Sequence, residues 1–344
     1  MAGRNLNQTA LHIPDGYLSP ATCAALYAGA APFWYVSLQR MKRAFNTQMV
    51  PLLSVFAAFS FIIMMFNLPL PGGTTGHAVG VGIATIVLGP WASILGISIA
   101  LIIQAVFFGD GGITAIGANC FNMAVIGSLA TYAIYRVLAG RASITSARRV
   151  IAAGVAGYVA INLAALAAAI EFGIQPLLYH DASGAPLYAP YPLRIAIPAM
   201  MIGHLTIAGL AEMVVSAGVV AYLQRSEPAL LKRTAPGAAE SSAAVGSLRH
   251  LWFALAALLI LTPLGILATG SAWGEAPLAQ APRGLRALSS FWTAPMPRYA
   301  PPFLKSPAFG YLLSAMTGTG LILLVVLLTG WLTRGRAGSR GLTK

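Results

Sequence analysis

The sequence is poor in charged residues and in cysteine, and both shortages narrow the class of protein. Asp, Glu, Lys and Arg make up 8% of the 344 residues, whereas 58% are hydrophobic. Soluble domains carry about 25% charged residues, so this composition argues against a water-soluble fold. The two cysteines, Cys23 and Cys120, stand among small or apolar residues, with the spacing of neither a thiolate metal site nor a redox pair. We expect both to be buried as small hydrophobic side chains.

Two kinds of motif are also missing. No Gly-Lys-Ser or Gly-Lys-Thr occurs, and the glycine-rich stretch Asp110–Gly117 contains no lysine, so the sequence predicts no ATP-binding loop of its own. The first ten residues, MAGRNLNQTA, are polar and lack the apolar core of a signal peptide. We therefore expect no cleavable signal.

What the sequence does contain is a series of apolar runs. A helix needs about 20 apolar residues to cross a bilayer, and we predict an all-α polytopic membrane protein with about nine transmembrane segments. A break is expected at Gly89-Pro90-Trp91, because proline lacks a backbone donor and restricts the residue before it. The predicted segments are 20–38, 50–68, 79–88, 92–108, 118–138, 150–172, 193–223, 249–270 and 309–333.

The basic residues predict the orientation. Fifteen of the 21 Lys and Arg form four clusters that flank apolar runs. The clusters are Arg40/Lys42/Arg43, Arg136/Arg141/Arg148/Arg149, Arg225/Lys232/Arg233/Arg249 and Arg334/Arg336/Arg340/Lys344. With the break at Pro90, all four fall on one side, which the positive-inside rule makes cytoplasmic. The net charge of +13 therefore does not indicate a nucleic-acid surface. We expect the bacterial inner membrane, with the N-terminus outside and the C-terminus in the cytoplasm.

Two histidines lie on the predicted outer side. His12 precedes the first segment, and His77 ends the flexible loop Gly72-Gly73-Thr74-Thr75-Gly76-His77. Imidazole is the commonest biological ligand for nickel, zinc and copper, although two separated histidines do not by themselves define a site. His180, in another outer loop, is interpreted as a solvated histidine. Polar residues gather near the same face: Gln104, Asp110, Asn119 and Asn122.

One apolar helix contains two ionisable residues, His204 and Glu212. Their spacing of eight puts them about two turns apart on one side of the helix. Ionisable groups inside a membrane are costly and indicate function. Either the two form a functional pair, for instance the acid and base of an intramembrane enzyme, or they make a structural contact between helices.

Three motifs in order carry a family resemblance: HIPDGYLSPATC at 12–23, PGGTTGHAVGVG at 71–82 and QAVFFGDGGITAIGANCFNM at 104–123. Over residues 11–225 the chain resembles the CbiM/NikM family, the substrate-capture (S) components of energy-coupling-factor transporters for cobalt and nickel. The resemblance implies a seven-helix unit that hydrolyses no ATP. Its implied partners are a transmembrane coupling (T) subunit, cytoplasmic ATPases and membrane lipid. Ni²⁺ or Co²⁺ is the implied cargo, with no permanently bound cofactor.

The resemblance also implies the ligands. In the family the metal is held by the amine of an initiator Met, by the amide nitrogen and imidazole of the following His, and by a later His. These positions match Leu11, His12 and His77, with Gln104, Asn119 and Asn122 as candidate supporting groups. Leu11 departs from the pattern, because ten residues precede it and it has no free amine. We expect translation to start at position 11, read as Met, with residues 1–10 outside the native chain; otherwise the site has changed or been lost.

The remaining residues are similar to a second component. Residues 226–248 form a Pro-, Ala- and Ser-rich stretch expected to be a cytoplasmic linker. Residues 249–344 resemble the two-helix CbiN/NikN accessory subunit, here fused, with a proline-rich outer loop at 271–308 in which the sequence marks no candidate residue. Four nitrogens in a plane favour nickel; cobalt uptake for cobalamin synthesis is the alternative.

Overall fold

The computed structural model describes residues 12–44, 49–70, 74–234, 248–268, 281–289 and 291–338. The described chain is almost entirely helical. Its α-helices are α1 (Pro20–Ala44), α2 (Met49–Met64), α3 (Val81–Leu88), α4 (Pro90–Ile103), α5 (Ile116–Asn119), α6 (Gly127–Ala139), α7 (Ala147–Leu178), α8 (Leu193–Gly203), α9 (Gly209–Ser226), α10 (Pro228–Lys232), α11 (Arg249–Leu261), α12 (Arg283–Leu288) and α13 (Pro307–Gly338). Turns of π-helix cover Gln104–Phe108, Cys120–Ile126 and His204–Ala208, and turns of 3₁₀-helix cover Thr262–Leu267 and Pro297–Tyr299.

Six helical segments of the described chain are long and apolar enough to cross a membrane. They are Pro90–Phe108, Ile116–Ala139, Ala147–Leu178, Leu193–Ser226, Arg249–Leu267 and Pro307–Trp331. Helix α2 is apolar but shorter. Each predicted apolar segment overlaps a helix, and the prediction of an all-α polytopic membrane protein is confirmed. Cys23 and Cys120 are buried and free, as expected.

The predicted break near Pro90 is present and leaves α3 unusually short. Gly89 adopts φ 82° and ψ 163°, a conformation that favours glycine, and Pro90 then starts α4. Helix α3 has eight residues, all buried, and it packs against α4, α6, α7 and α9. At 1.5 Å per residue it extends about 12 Å, less than half of the ~30 Å hydrocarbon layer. Irregular backbone before it is tolerated because it lies inside protein.

A small β-hairpin occupies the segment that the sequence predicts as a flexible outer loop. Strand β1 (Leu68–Leu70) pairs antiparallel with β2 (Thr74–Gly76), with Leu68 opposite Gly76 and Leu70 opposite Thr74. The strands pack against the π-turn His204–Ala208. His77 follows β2 directly, so the hairpin delivers this histidine into the bundle.

The C-terminal region packs against the N-terminal unit. Helices α11 and α13 lie on α2, and α13 also contacts α4. The Leu285 amide of α12 donates to the backbone carbonyl of Leu187, in the loop before α8, at 3.0 Å. The Ala189 amide of the same loop donates to the backbone carbonyl of Tyr17 at 3.0 Å. In the expected linker, α10 is helical, and residues 235–247 lie outside the described residues.

Candidate metal centre

His12 and His77 meet in the interior of the bundle. Their ring centroids are 5.0 Å apart and their planes are inclined at 75°. His12 is 3% exposed and His77 is fully buried. Two histidines that are distant in sequence therefore form one buried cluster.

The backbone around His12 is fixed by α5 and by the loop that precedes it. The Ile13 amide donates to Oδ1 of Asn119 at 2.8 Å, and Nδ2 of Asn119 donates back to the Ile13 carbonyl at 3.1 Å. The Gly112 amide also donates to the Ile13 carbonyl, at 2.8 Å. Asn119, a candidate supporting group, thus holds the residue that follows His12.

Asp15 also anchors this N-terminal segment to the glycine-rich loop. Its carboxylate accepts hydrogen bonds from the Thr114 amide at 2.8 Å and from the Thr114 hydroxyl at 2.6 Å. Gly112 permits this approach, because a Cβ atom there would collide with the Asp15 nitrogen. The N-terminal segment and the glycine-rich loop therefore fit only with glycine at this position.

A carboxylate orients the His12 ring. Nδ1 of His12 lies 2.7 Å from Oδ1 of Asp110, and both side chains are buried. The hydroxyl of Tyr299 donates to Oδ2 of Asp110 at 2.6 Å and accepts from Nε2 of Gln104 at 2.9 Å. Histidines that bind metals usually donate their other ring N–H to such a carboxylate. Gln104, another candidate supporting group, reaches the cluster through Tyr299 and Asp110.

Burial keeps the Tyr299 phenol protonated, so its hydroxyl acts as a hydrogen-bond donor. Burial, followed by the nearby negative charge of Asp110, raises the pKa of the Tyr299 phenol well above its ordinary value. The phenol is therefore protonated at physiological pH, and its proton goes to Asp110.

Both imidazoles have one nitrogen available. Nε2 of His12 and Nε2 of His77 are buried and have no hydrogen-bond partner among the described residues. Most buried polar atoms are paired, so two unpaired nitrogens in one cluster indicate a place for a ligand. Nδ1 of His77 lies 3.0 Å from the Ala78 carbonyl and donates to it, which leaves the lone pair on Nε2. Burial, with a smaller effect of neighbouring His12, lowers the pKa of His77 to about 3, so the ring is neutral and able to bind a metal.

Side chains alone do not complete a metal site here. Within the described part of the chain, no group of three or more His, Cys, Asp and Glu could hold a metal ion. Leu11, expected to supply an amine, lies outside the described residues. Asn122, the third candidate supporting group, donates from Nδ2 to Oε2 of Glu171 on α7 at 2.8 Å.

His204 and Glu212 make separate contacts. Nδ1 of His204 donates to the Met200 carbonyl at 2.8 Å. Oε2 of Glu212 accepts from the amides of Val79 and Gly80, each at 2.8 Å, and Oε1 accepts from the Gly82 amide at 3.0 Å. These amides form the start of α3, where the helix dipole favours a negative group. Glu212 therefore holds the backbone just after His77, which is a structural contact; a functional role for His204 and Glu212 stays a prediction.

Sequence reasoning missed Asp110 and Tyr299 as parts of the cluster. Asp110 is one of only eight acidic residues in the sequence, and this scarcity could have marked it. Tyr299 carries no local signal, because it lies in a loop to which the sequence assigned no role. His180 is exposed, as interpreted.

Comparisons with known proteins identify metal transport proteins to which the chain is similar. The sequence profile of the CbiM family, described as the cobalt uptake substrate-specific transmembrane region, matches residues 12–230. The chain is 52% identical over 359 aligned positions to the fused nickel transport protein NikMN of Rhodobacter capsulatus, covering 97% of this chain and 99% of that one. It is 44% identical over 268 positions to a Lactiplantibacillus plantarum protein named "Probable fused nickel transport protein LarMN", covering 77% of each. A crystal structure described as a truncated transition metal transporter is 50% identical, with a TM-score of 0.59, and the match covers 62% of this chain and 99% of that one.

Proposed function

The chain belongs to the CbiM family of metal transport proteins, and from this membership we propose that it is the substrate-specific membrane component of an ATP-driven nickel uptake transporter. The relatives are named as transporters, and the chain is a transport protein, not an enzyme. The observation that carries the proposal is the buried pair His12 and His77, each with an unpartnered Nε2 atom in the described structure. The cargo is a Ni²⁺ ion captured from the outer side.

The proposed ligands are four nitrogens. They are the amine of residue 11, the amide nitrogen and imidazole of His12, and the imidazole of His77. The chelate ring that joins the His12 amide to its own imidazole closes through Nδ1, the atom that Asp110 holds. Binding in this mode would require Nδ1 to leave Asp110 and the side chain to rotate about both its Cα–Cβ and Cβ–Cγ bonds, because a turn about Cβ–Cγ alone places a ring C–H where Nδ1 was. Nε2–H is then the remaining donor of the ring, and we propose that Asp110 accepts it.

Nickel is proposed over cobalt for two reasons. A planar set of four nitrogens suits Ni(II), and the relative that aligns over nearly the whole chain is named for nickel transport. Cobalt remains the second candidate because the family is described by cobalt uptake. Uptake of radioactive ⁶³Ni²⁺ in the presence of excess Co²⁺ or Ni²⁺ separates the two. Stronger inhibition by Co²⁺ would favour cobalt.

Coupling to ATP is assigned to partners. The family resemblance implies a membrane coupling subunit and cytoplasmic ATPases, and we propose these as partners; the sequence itself contains no phosphate-binding lysine motif. The proposed organisation is a metal-binding unit at 11–225, a linker at 226–248 and an accessory module at 249–344. The proposed orientation, in the cell membrane, places the chain start outside and its end in the cytoplasm, as the four basic clusters support.

Replacement of His77 tests the proposed capture site. His77→Ala should abolish most ⁶³Ni²⁺ uptake by cells that also express the coupling and ATPase subunits, while the amount of protein in the membrane is unchanged. His180→Ala is the matched control, because that histidine is exposed and its Nδ1 faces the Asp181 carbonyl. Normal uptake by His77→Ala would remove this residue from the site.

A further inference from the structure

A residue of the C-terminal module reaches the His12 cluster. The Tyr299 hydroxyl donates to Oδ2 of Asp110 at 2.6 Å, and Oδ1 of Asp110 lies 2.7 Å from Nδ1 of His12. Tyr299 is 189 residues from Asp110 in sequence. The fused module is therefore joined to the imidazole by two consecutive short hydrogen bonds.

The Tyr299 ring is held firmly. It stacks on Phe108 with centroids 4.9 Å apart and planes inclined at 22°, and it meets Tyr311 edge-on at 5.4 Å. Within the described ranges, Arg298 and Tyr299 are the only non-glycine residues with positive φ, at 55° and 56°. Such conformations persist where the surroundings enforce them, and they cluster at functional sites.

The segment before Tyr299 is fastened to the π-turn that carries Gln104. The Met296 amide donates to the Phe107 carbonyl and the indole of Trp292 donates to the Val106 carbonyl, both at 2.9 Å. From the same turn, Gln104 donates to the Tyr299 hydroxyl. The phenol therefore has a fixed place relative to Asp110.

We propose that Tyr299 is a positioning residue for the metal-binding imidazole of His12, acting through Asp110, so that the C-terminal module completes the capture site. This inference rests on the proposed function. With one oxygen of Asp110 bound to Tyr299, the other is directed at the ring. Removal of the phenol hydroxyl takes away the 2.6 Å bond and lets the carboxylate, and with it His12, reorient. Loss of such an outer partner typically weakens metal binding about 10- to 100-fold.

The test is Ni²⁺ titration of the natively expressed protein, purified in detergent, against a competing chelator. Tyr299→Phe keeps the stacked ring and should raise the dissociation constant about 10- to 100-fold. Tyr132→Phe is the control, because its hydroxyl accepts from Arg136 in an exposed hydrogen bond outside the cluster; its binding should stay within about twofold of the original. Unaltered binding by Tyr299→Phe would overturn the proposal.

A double-mutant cycle separates positioning from a general structural effect. If Tyr299 acts through Asp110, Tyr299→Phe should add no further loss to Asp110→Asn. A double variant that shows the full product of the two single losses would contradict the link. Asp110→Asn alone also tests the proposal if Tyr299→Phe folds poorly. A Ni²⁺ affinity of Asp110→Asn equal to that of the unaltered protein would exclude a route through Asp110.

The same titration of His77→Ala distinguishes failure of the proposed metal site from failure of the positioning role of Tyr299. Binding by the unaltered chain, its loss in His77→Ala and its retention in Tyr299→Phe would overturn only the role of Tyr299. Unchanged binding by His77→Ala would overturn the proposed site itself and, with it, the positioning role.

Discussion

Oε2 of Glu212 lies 2.8 Å from the backbone nitrogen of Gly80, three residues beyond His77. The same oxygen accepts from Val79, and Oε1 accepts from Gly82. One buried carboxylate thus satisfies three amides at the start of α3, which otherwise have no partner within the helix. Because His77 lies only two residues before Val79, Glu212 fixes the backbone that follows this histidine.

Glu212→Gln should destabilise the protein and impair nickel capture together. An amide presents an NH₂ group where the carboxylate has an acceptor, so at least one backbone N–H then faces a donor. An unsatisfied buried donor costs about 1–3 kcal/mol. We expect a lower thermal midpoint in detergent and weaker Ni²⁺ binding. Glu227→Gln, between α9 and α10, is the matched control and should behave like the original. Equal thermal midpoints for Glu212→Gln and the original would argue against this anchoring role.

Gly112→Ala should separate the N-terminal segment from the glycine-rich loop. The added Cβ would collide with the backbone nitrogen of Asp15 and would lie 2.6 Å from its Oδ1 atom, which is closer than non-bonded atoms come. Because His12 is fixed through this contact, we expect a large loss of Ni²⁺ binding in the purified protein. Gly218→Ala on α9 is the control, since a Cβ there meets nothing within 4 Å. Undiminished binding by Gly112→Ala would mean that the segment tolerates displacement.

Local signals predicted much of this molecule. Apolar runs located the helices, and Gly89 and Pro90 located the break before α4; both rest on the chemistry of neighbouring residues. The pairing of His12 with His77 was implied by the family resemblance, since two separated histidines do not by themselves define a site. The glycine-rich stretch at 72–76 was predicted as a loop. The paired strands β1 and β2 were not predicted, because three-residue strands leave almost no periodicity to detect.

The contacts that organise the cluster had no such signal. Glu212 reaches Val79 across 133 residues, and Tyr299 reaches Asp110 across 189. Such pairs are set by how the helices pack, which sequence periodicity does not specify. Glu212 was recognised only as a costly buried charge, and its partners became known from the fold.

The proposed orientation predicts which loops are reachable from outside the cell. Thr145→Cys and Ala182→Cys place a thiol at exposed positions of two different loops. A membrane-impermeant maleimide should label Ala182→Cys in intact cells and Thr145→Cys only after the membrane is opened. Background should be low, because Cys23 and Cys120 are buried. Labelling of Thr145→Cys in intact cells would reverse or break the predicted topology.

Chelation by residue 11 predicts that the start of the chain controls affinity. Only a free amine one residue before His12 can close the five-membered ring that adjoins the His12 amide; an internal amide nitrogen has no available lone pair until it is deprotonated. A chain that starts at position 11, read as Met, should therefore bind Ni²⁺ much more tightly than one carrying residues 1–10. Adding a single Ala before that Met provides the sharpest control, because it blocks the amine while changing little else. Intact-mass measurement of the natively expressed protein shows which start is used.

Equal Ni²⁺ affinities for the chain that starts at 11 and the one that carries residues 1–10 would exclude the amine as a ligand. The metal would then be held by the imidazoles of His12 and His77 together with groups other than the chain start, with Nδ1 of His12 remaining on Asp110 and Nε2 turned to the ion.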